Sequence, residues 1–570
     1  MTASGTLPVA SQPLASQRSH VTPVETSDPK RERLVTWLGL ALLLVVQSIA
    51  LVRQRAPYLE DDGAFFLRYA ENIAAGNGYR WNAGEAPVWG ASAPLWPLFL
   101  AAGIAMGFSH VVATLVWSAA LTLTATLFMG LTARRVFGPY GLFALAPLLS
   151  INFLYSTWAT SGLESPLTFL LVSLALYVVS GGAGGVACGV VAGLCLFHKV
   201  DLAPLGLALL FALFVWGRDR FWRALATAAV IAGVAYGLAT WNFGTPVPNS
   251  FLRKLHSTNG NLPRTWFAQV ALYTGAGWLR SGLLVVGALA LWRRPAVATV
   301  ALAAVLVPTA AFTLKPPPEG FLWYPAAISG AVAFLAAGGV AFLLERVPAR
   351  KRTTLRPAVA AVALVGLTVF LEQKEMPRVR GWHAFLARVT PSMRAAGEWV
   401  DQHLAADARV LTWWGHPALA SHRFVYDGSG LNRRPEEGNL RTKYRPEVVI
   451  ELVRGPLADH RVPDGYLEAQ TFVPGDGPRA FNGVRVMVRD DVPIDGVVRE
   501  PLAPRGLSVA LARKLLAAEP VDARELDAGQ LEELSKRVAR RRERPEPPRW
   551  LERLEQRIQE ARAQLPRARE

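Results

Sequence analysis

Long apolar segments alternate with short polar ones along the first two thirds of the chain. Between residues 34 and 372 the apolar residues collect in runs of roughly 16–24, and a helix needs about 18 or more to cross a hydrocarbon core of ~30 Å. The pattern therefore predicts an α-helical polytopic membrane protein with about 11 spans: Leu34–Val52, Val111–Thr132, Tyr140–Thr157, Leu163–Ser180, Ala183–Phe197, Leu202–Trp216, Trp222–Trp241, Leu272–Trp292, Ala296–Leu314, Phe321–Leu344 and Arg356–Leu371.

One further apolar segment, Leu95–Met106, is shorter than the others. A run of about 10–14 apolar residues is typical of an interfacial or re-entrant helix when it is not a buried soluble one. Counting it as a twelfth span would also move Arg134, Arg135 and every later basic loop to the wrong side of the membrane. We therefore expect this segment to be an interfacial or re-entrant helix.

The basic residues between the spans predict the orientation. With the N-terminus inside, the cytoplasmic side receives Arg134 and Arg135, the 218–223 loop, the Arg293–Arg294 pair and the basic 345–352 loop, as the positive-inside rule requires. The first span contributes little, because bases flank both of its ends. The long loops 53–110 and 242–271, the 315–320 turn and everything after residue 372 then lie on the outer side.

The chain divides into four parts by composition. Residues 1–33 are polar and rich in Ser, Thr and Pro, which predicts a disordered cytoplasmic tail, and residues 34–372 form the transmembrane domain. Residues 373–497 are predicted to be an extracytoplasmic α/β domain, and residues 498–570 a charged helical or partly disordered tail. The α/β domain is predicted from a helix over 383–405 and short strands at Arg409–Thr412, Arg423–Tyr426, Glu447–Leu452, Glu468–Val473 and Val484–Val488.

Composition and charge agree with a membrane protein. The 570 residues are 52% hydrophobic and 18% charged, with a formal net charge of +17. Much of this charge lies at the ends of apolar runs, which a membrane explains better than nucleic acid as a partner. The two cysteines, Cys188 and Cys195, share one apolar run, where seven helical residues separate them by ~10.5 Å, too far for a disulfide.

Three adjacent acids open the first outer loop. Glu60, Asp61 and Asp62 precede an amphipathic helix in which Phe65, Phe66, Tyr69 and Ile73 fall at helical spacing. Partial desolvation and a like-charged neighbour raise the pKa of a carboxyl group towards the range of a general base. Asp61 and Asp62 are therefore candidate catalytic residues. The alternative is that these acids only cap the helix.

Further charged and polar groups lie near the outer ends of the spans. Taken singly, each could be a capping or snorkelling residue, and the aromatic residues Trp413, Trp414 and Tyr426 of the α/β domain could simply be core. Taken together, the charged groups place carboxylates and cations on one face of the helical bundle, where Arg and Lys are suited to bind a phosphate group. The candidate substrate-binding residues are Arg68, Glu164, His198, Lys199, Asp201, Asn249, Arg253 and Lys254.

Four sequence elements resemble a known family. DDGAFFLRYAENIAAGNGYRWNAGEAPVWGASAPLW, starting at Asp61, resembles the first-loop signature of the GT-C membrane glycosyltransferases related to bacterial arabinofuranosyl- and mannosyltransferases. TSGLESP, GTPVPNSFLRKL and FVYDGSGLN resemble three later elements of the family, in the same order. Two elements depart from the pattern: His198-Lys199-Val200-Asp201 replaces Arg-Pro-Asp/Glu-Gly, and residues 89–94 replace Gly-Tyr-Thr-Ser. The departures concern the identity of the donor sugar and acceptor more than the chemistry.

The resemblance implies a transferase of the bacterial cytoplasmic membrane. Such an enzyme takes a sugar from a polyprenyl-phosphate donor and passes it to a glycan, lipid or protein acceptor outside the cytoplasm. Asp61 or Asp62 would deprotonate the acceptor hydroxyl, giving inversion, while Arg68, Lys199, Arg253 or Lys254 would stabilise the departing phosphate. No cofactor is expected, no metal is assigned although a divalent cation is not excluded, and no nucleotide-binding glycine-rich loop is present.

Two other functions fit a polytopic chain. A transporter or flippase for an envelope precursor would need ionisable residues near the bilayer midplane and broken helices in paired halves. The charged groups lie instead at the ends of the spans, and no internal repeat is found. A non-catalytic anchor that presents the α/β domain is the third hypothesis.

Overall fold

The computed structural model describes residues 29–256, 277–314, 323–347, 355–433, 440–453, 462–463, 465–473, 483–494, 535 and 555–560. Within these ranges the chain is a bundle of long helices that carries a small sheet. The helices of the bundle and its connecting loops are α1 (Pro29–Arg53), α2 (Asp61–Ala74), α3 (Leu95–Ala105), α4 (His110–Ser150), α5 (Ser165–Tyr177), α6 (Gly185–His198), α7 (Ala203–Trp216), α8 (Arg218–Phe243), α9 (Asn249–His256), α10 (Trp278–Ala290), α11 (Pro295–Leu314), α12 (Trp323–Glu345) and α13 (Leu355–His403).

All eleven predicted spans contain helix. By length and composition, six helices in the described part of the chain could each cross a membrane: α1, α4, α8, α11, α12 and α13. Shorter apolar helices, α5, α6, α7 and α10, occupy the other predicted spans. The second and third spans are the two halves of α4, which bends where Gly138 takes a φ of 73° directly before Pro139. A Gly with positive φ followed by Pro ends one helix and begins the next.

The short apolar segment forms α3. Its eleven residues reach roughly 16 Å at 1.5 Å per residue, about half of a hydrocarbon core. One side of α3 packs on α2 and α4, so that Trp96 and Leu100 are completely buried. Its length fits the predicted interfacial or re-entrant helix and not a twelfth span.

Exposed tryptophans mark the two ends of α8. Trp222 and Trp241 are 70% and 84% exposed, and their separation of 19 positions corresponds to roughly 28 Å of helix, close to the thickness of the hydrocarbon core. Tryptophan is enriched at both membrane interfaces, where its ring lies at the level of the head groups. The spacing agrees with α8 as a membrane-spanning helix.

Small residues bring neighbouring helices into close contact. A Cβ atom added to Gly189 of α6 would lie 2.4 Å from the carbonyl oxygen of Ala224 in α8. In α10, a Cβ atom on Gly287 would lie 1.7 Å from the carbonyl oxygen of Leu335 in α12. Apolar lipid provides no hydrophobic force between helices, so close backbone approach of this kind is a main source of their association.

A five-stranded mixed sheet follows α13. The sheet and its helices are β1 (Arg409–Thr412), α14 (Gly415–Ala420), β2 (Phe424–Asp427), α15 (Leu440–Tyr444), β3 (Val448–Val453), β4 (Tyr466–Phe472) and β5 (Gly483–Arg489). The strands lie in the order β2-β1-β3-β5-β4; β1 pairs with β2 and β3 in parallel, and β5 pairs with β3 and β4 in antiparallel orientation. The five predicted strands are confirmed to within two residues.

The long helix α13 joins the bundle to this sheet. It contains both the last predicted span and most of the helix predicted over 383–405, without a break between them. At the N-terminus, α1 begins at Pro29, inside the segment predicted to be a disordered tail. The rest of that tail, and nearly all of the 498–570 segment, lie outside the described residues.

Candidate active site

A cleft opens where the ends of several membrane helices meet the 53–110 loop and the α/β domain. It encloses about 770 Å³, counting its open mouth. The bundle contributes Glu164, the 199–201 segment and Tyr324, the first loop contributes Asp62, and the α/β domain contributes Leu431 and Asn432. Four predicted site residues therefore line one cleft: Asp62, Glu164, Lys199 and Asp201. Asp62 lies more than a hundred residues from the other three in sequence.

The two adjacent aspartates of α2 occupy different environments. Asp62 lines the cleft, whereas Asp61 faces the α/β domain. The two carboxylate oxygens of Asp61 accept hydrogen bonds of 2.9 Å from the backbone N–H groups of Gly415 and His416, the first residues of α14. Burial raises the pKa of Asp61 to about 6, although these two donors lower it. Asp61 is thus bound to the backbone of α14, whereas Asp62 lies in the wall of the cleft.

Glu60, the residue before this pair, is also buried. Its exposed fraction is 7%, and burial together with the charges of Asp62 and Asp61 raises the pKa of Glu60 well above its ordinary value. The backbone N–H of Glu60 donates a 2.7 Å hydrogen bond to the carbonyl of Ser161. The acidic segment is thereby tied to the TSGLESP element.

The TSGLESP element positions Glu164. Gly162 takes a φ of 96°, and its carbonyl accepts a 2.8 Å hydrogen bond from the indole Nε1 of Trp96 in α3. The turn lies against Gly63 of α2, where an added Cβ atom would approach Gly162 to 3.2 Å. A side chain at Gly63 would therefore force the turn to shift slightly, and a side chain at Gly162 would be strained by the positive φ. Both positions thus favour glycine where the turn places Glu164 in the cleft wall.

Glu164 forms a buried ion pair with Lys199. The ammonium group lies 2.8 Å from Glu164 Oε1 and 3.5 Å from Asp201 Oδ2, and the side chains of Lys199 and Glu164 are only 8% and 6% exposed. Lys199 also lies 5.7 Å from the ring centroid of Tyr324. Two carboxylates and an aromatic face hold this cation at the cleft, where it could also meet an anionic group of a ligand.

Helix α9 contains three of the predicted site residues, and the first of them, Asn249, attaches the helix to the α/β domain. The side-chain amide of Asn249 donates hydrogen bonds of 3.0 Å to the carbonyls of Gly430 and Leu431, and it also bonds the carbonyl of Arg433. These carbonyls belong to the Asp427–Arg433 turn, which we call the roof because Leu431 and Asn432 close one side of the cleft. Asn249 is only 6% exposed, and it supports the roof from a position beside the cleft.

Arg253 lies one helical turn after Ser250, which lines the cleft. Its guanidinium rests on Gly430 of the roof, where an added Cβ atom would lie 2.8 Å from Cζ. Within the described ranges, the buried Nε and Nη2 atoms of Arg253 and the Ser250 hydroxyl have no hydrogen-bond partner. The side chain of Lys254 lies outside the described part of the structure.

Arg68 and His198 lie away from the cleft, each buried in a different place. Arg68 is buried beneath the α/β domain, and its guanidinium donates to the carbonyls of Trp81, Ala418 and Arg423 and to Asn82 Oδ1. Its hydrogen-bonding capacity is used for holding the two segments together, which leaves little for a phosphate. His198 is fully buried at the end of α6, behind Lys199, and its ring nitrogens have no partner among the described residues.

Several cleft residues were present in the quoted motifs but were not selected as site residues. Tyr69 follows Arg68, and its hydroxyl donates a 3.1 Å hydrogen bond to Asn432 Oδ1 of the roof. Ser250 and Asn432 lie within two of the other quoted motifs, whereas Tyr324 lies in the predicted span Phe321–Leu344. Tyrosine, serine and asparagine side chains carry no net charge, so a search guided by ionisable groups passes over them.

A second, largely apolar cavity adjoins the cleft. Counting the space open to solvent, it encloses about 360 Å³ among α5, α7, α11 and α12, and its walls contain Val172, Leu205, Pro308, Phe312 and Ala327. Asp201 lines both spaces. A cleft with charged side chains in its wall and an apolar cavity beside it suit a ligand with a charged head and a hydrocarbon chain.

In the described part of the chain no three His, Cys, Asp or Glu side chains are grouped so that they could hold a metal ion. The expectation that the protein needs no cofactor stays a prediction.

No protein-family model and no curated protein matches the sequence. Among solved structures, the chain is similar to ArnT from Cupriavidus metallidurans bound to undecaprenyl phosphate, with a TM-score of 0.51 and 16% identity over 80% of this chain and 97% of that one. The apo state of the same protein gives a TM-score of 0.52 and 17% identity over 79% and 97% of the two chains. The chain has the GT-C fold.

A third solved structure, the arabinofuranosyltransferase AftD from Mycobacteria, gives a TM-score of 0.44 and 15% identity over 81% of this chain and 40% of that one. The GT-C fold agrees with the predicted architecture of membrane helices followed by a small α/β domain. Which residues act, and on which substrates, depends on the geometry of the cleft.

Proposed function

We propose that this protein is a membrane glycosyltransferase that moves a sugar from a polyprenyl-phosphate donor to an extracytoplasmic acceptor during assembly of envelope glycans. The observation that carries the proposal is the cleft of this GT-C fold. Its wall contains the carboxylate of Asp62 and the buried cation of Lys199, and an apolar cavity lies beside it. ArnT, whose structure is similar along 97% of its length, was solved bound to undecaprenyl phosphate, and a carrier of that chemistry is proposed for this chain.

Asp62 is the proposed general base. Its position in the cleft wall supports this role, whereas Asp61 is engaged with α14. Asp62 takes the proton of the acceptor hydroxyl as the hydroxyl oxygen attacks the anomeric carbon from the side opposite to the carrier. The bond between that carbon and the phosphate oxygen breaks, its electron pair leaves with the polyprenyl phosphate, and the anomeric configuration is inverted.

Lys199 is the proposed partner of the leaving phosphate. A cation fixed in a poorly hydrated site stabilises developing negative charge without reorganising, and Glu164 and Asp201 hold Lys199 in place for this purpose. Arg253 and the Ser250 hydroxyl supply further donors from α9. The apolar cavity beyond Asp201 is the proposed path for the first part of the polyprenyl chain.

The site faces outward in this proposal. The basic loops favour a cytoplasmic N-terminus, and the first loop, α9 and the α/β domain then share the outer side of a bacterial cytoplasmic membrane. A lipid-linked donor suits that location because nucleotide sugars are confined to the cytoplasm.

Substitution of Asp62 tests the proposal. In a strain that lacks the protein, wild type should restore one sugar in the mass-resolved envelope glycans, and Asp62→Asn should restore less than about 1% of it, as expected for loss of a general base worth 10²–10⁴-fold. Glu71→Gln is the matched control, because Glu71 lies on α2 but pairs with His110 away from the cleft at 2.9 Å. Full activity of Asp62→Asn would exclude this residue as the base.

The transporter hypothesis makes a different prediction. Unaltered glycan composition in the deletion strain, together with impaired uptake or export of a solute, would favour a transporter or flippase. If the protein were a non-catalytic anchor, Asp62→Asn and wild type would restore the glycans equally.

A further inference from the structure

The first outer loop and the α/β domain meet at the start of two helices. α14 begins at Gly415, directly against the first turn of α2, and the contact leaves no room for a side chain. A Cβ atom on Gly415 would lie 2.2 Å from the carbonyl oxygen of Asp61 and 3.0 Å from the backbone nitrogen of Phe65. We call this contact between the first turns of α2 and α14 the joint.

Asp61 is the charged link across the joint. The first N–H groups of any helix lack partners within that helix, and α14 directs two of them at the two oxygens of Asp61. Hydrogen bonds from N–H groups to a carboxylate are roughly twice as strong as neutral ones. A second contact, between His416 Nε2 and the carbonyl of Leu59 at 3.0 Å, closes the joint from the other side.

The rest of the interface extends from this point. Arg68, two turns along α2, bonds the carbonyls of Ala418 and Arg423, and the side chain of Asn82 pairs with both the N–H and the carbonyl of Val425 at the start of β2. β2 leads directly into the roof of the cleft. The position of the roof relative to Asp62 therefore depends on how α14 and β2 are attached to the first loop.

We propose that Asp61 is a positioning residue that docks the α/β domain onto α2, and so sets both the direction of Asp62 and the position of the roof over the cleft. This inference rests on the proposed function, because positioning has a catalytic meaning only if Asp62 acts as the base. The α/β domain is then a structural part of the active site and not a separate appendage.

Amide hydrogen exchange of the purified full-length protein in nanodiscs tests the docking without any substrate. In Asp61→Asn, one of the two N–H groups of α14 loses its acceptor, and we expect exchange over residues 413–420 to become at least about tenfold faster at pH 7.5. Gly415→Ala separates the helices sterically while keeping every carboxylate, and should have the same effect. Asp407→Asn and Gly381→Ala are controls, since Asp407 is exposed and an added Cβ atom on Gly381 meets nothing within 4 Å.

Transfer in isolated membranes of the deletion strain, with their endogenous carriers and acceptors, supplies the functional measurement. Asp61→Asn and Gly415→Ala should lower the transfer rate by similar factors and keep the wild-type pH profile, whereas Asp62→Asn should abolish transfer with wild-type amide exchange. Unchanged exchange in Asp61→Asn would overturn the docking role. Loss of all transfer in Asp61→Asn with unchanged exchange would make Asp61 the base instead.

The proposed function can fail separately. If Asp62→Asn, Asp61→Asn and Gly415→Ala all support wild-type glycan composition, the glycosyltransferase proposal and the catalytic meaning of the joint are both overturned. The exchange data would still decide whether Asp61 holds the α/β domain.

Discussion

Replacing Lys199 with methionine removes the cation that lies between two carboxylates in the cleft wall. Glu164, at 2.8 Å and 6% exposed, would lose its ionic partner while remaining buried. Asp201, at 3.5 Å and 29% exposed, keeps access to water. Breaking a buried pair by removing one partner costs about 3–5 kcal/mol, so Lys199→Met should be strongly destabilised, mainly through Glu164.

The double variant Lys199→Met/Glu164→Gln separates stability from catalysis. Replacing both members of a buried pair is often neutral, so the double variant should regain most of the lost stability. Its transfer rate should nevertheless stay about 10²–10³-fold below wild type, because no cation faces the leaving phosphate from this position.

Chemical unfolding in detergent measures stability, and transfer in isolated membranes measures activity. Lys374→Met, which removes an exposed lysine of α13, serves as the control and should change neither. Two results would refute the reasoning. If the double variant is as unstable as the single one, Glu164 is not the group that Lys199 stabilises. If activity returns together with stability, Lys199 has a structural role only.

Three further predictions follow from contacts elsewhere in the structure. Gly287→Leu should prevent correct assembly of α10 with α12, because the new side chain would overlap the backbone of Leu335. Gly282→Leu on the same helix meets open space, so this control should be recovered from detergent in the same yield as wild type. Equal recovery of both variants would contradict the packing argument. Asn249→Ala removes three hydrogen bonds to the roof, so the rate of amide hydrogen exchange in the roof should rise by about tenfold or more. An unchanged exchange rate would show that other contacts hold the roof. Burial raises the pKa of Asp61 from 3.8 to about 6 and lowers that of His416 from 6.5 to about 4. Protonation of Asp61 therefore adds stability at low pH, and this pH-dependent term, separate from the hydrogen bonds that the carboxylate accepts, is lost as pH rises through about 6. The corresponding term for His416 is lost as pH falls from 6.5 through about 4. Between pH 4 and 6 the stability of Asp61→Asn should thus increase with pH more steeply than that of wild type; identical slopes in a thermal unfolding series would contradict this.

Much of the fold could be predicted because it depends on local patterns. The length of an apolar run decides whether its helix can cross a bilayer, and a short run of apolar β-branched residues indicates a buried strand such as Val448–Val453. Gly138 and Pro139 mark the break inside α4 by their own backbone preferences. None of these features requires knowledge of which distant segment lies beside them.

The candidate site could be predicted only in part, because its geometry depends on contacts between distant segments. The charges at the span ends indicated that Glu164, Lys199 and Asp201 belong to one outer face, and the structure brings them within ion-pair distance. Arg68 appeared equally suited to a phosphate, and yet it lies under the α/β domain, where backbone carbonyls occupy its donors. Residue type alone cannot distinguish a cation that faces a cavity from one that faces a neighbouring domain.

Asp61 and Asp62 show most clearly what the sequence determined and what it left to the tertiary structure. The sequence by itself determined that two carboxylates stand at the start of an amphipathic helix at the membrane surface. Successive residues of a helix point about 100° apart, so the surroundings of the two had to differ, but which surroundings each one received was decided by the docking of α14, more than three hundred residues later. That docking directs Asp61 to the backbone of Gly415 and His416 and leaves Asp62 in the wall of the cleft.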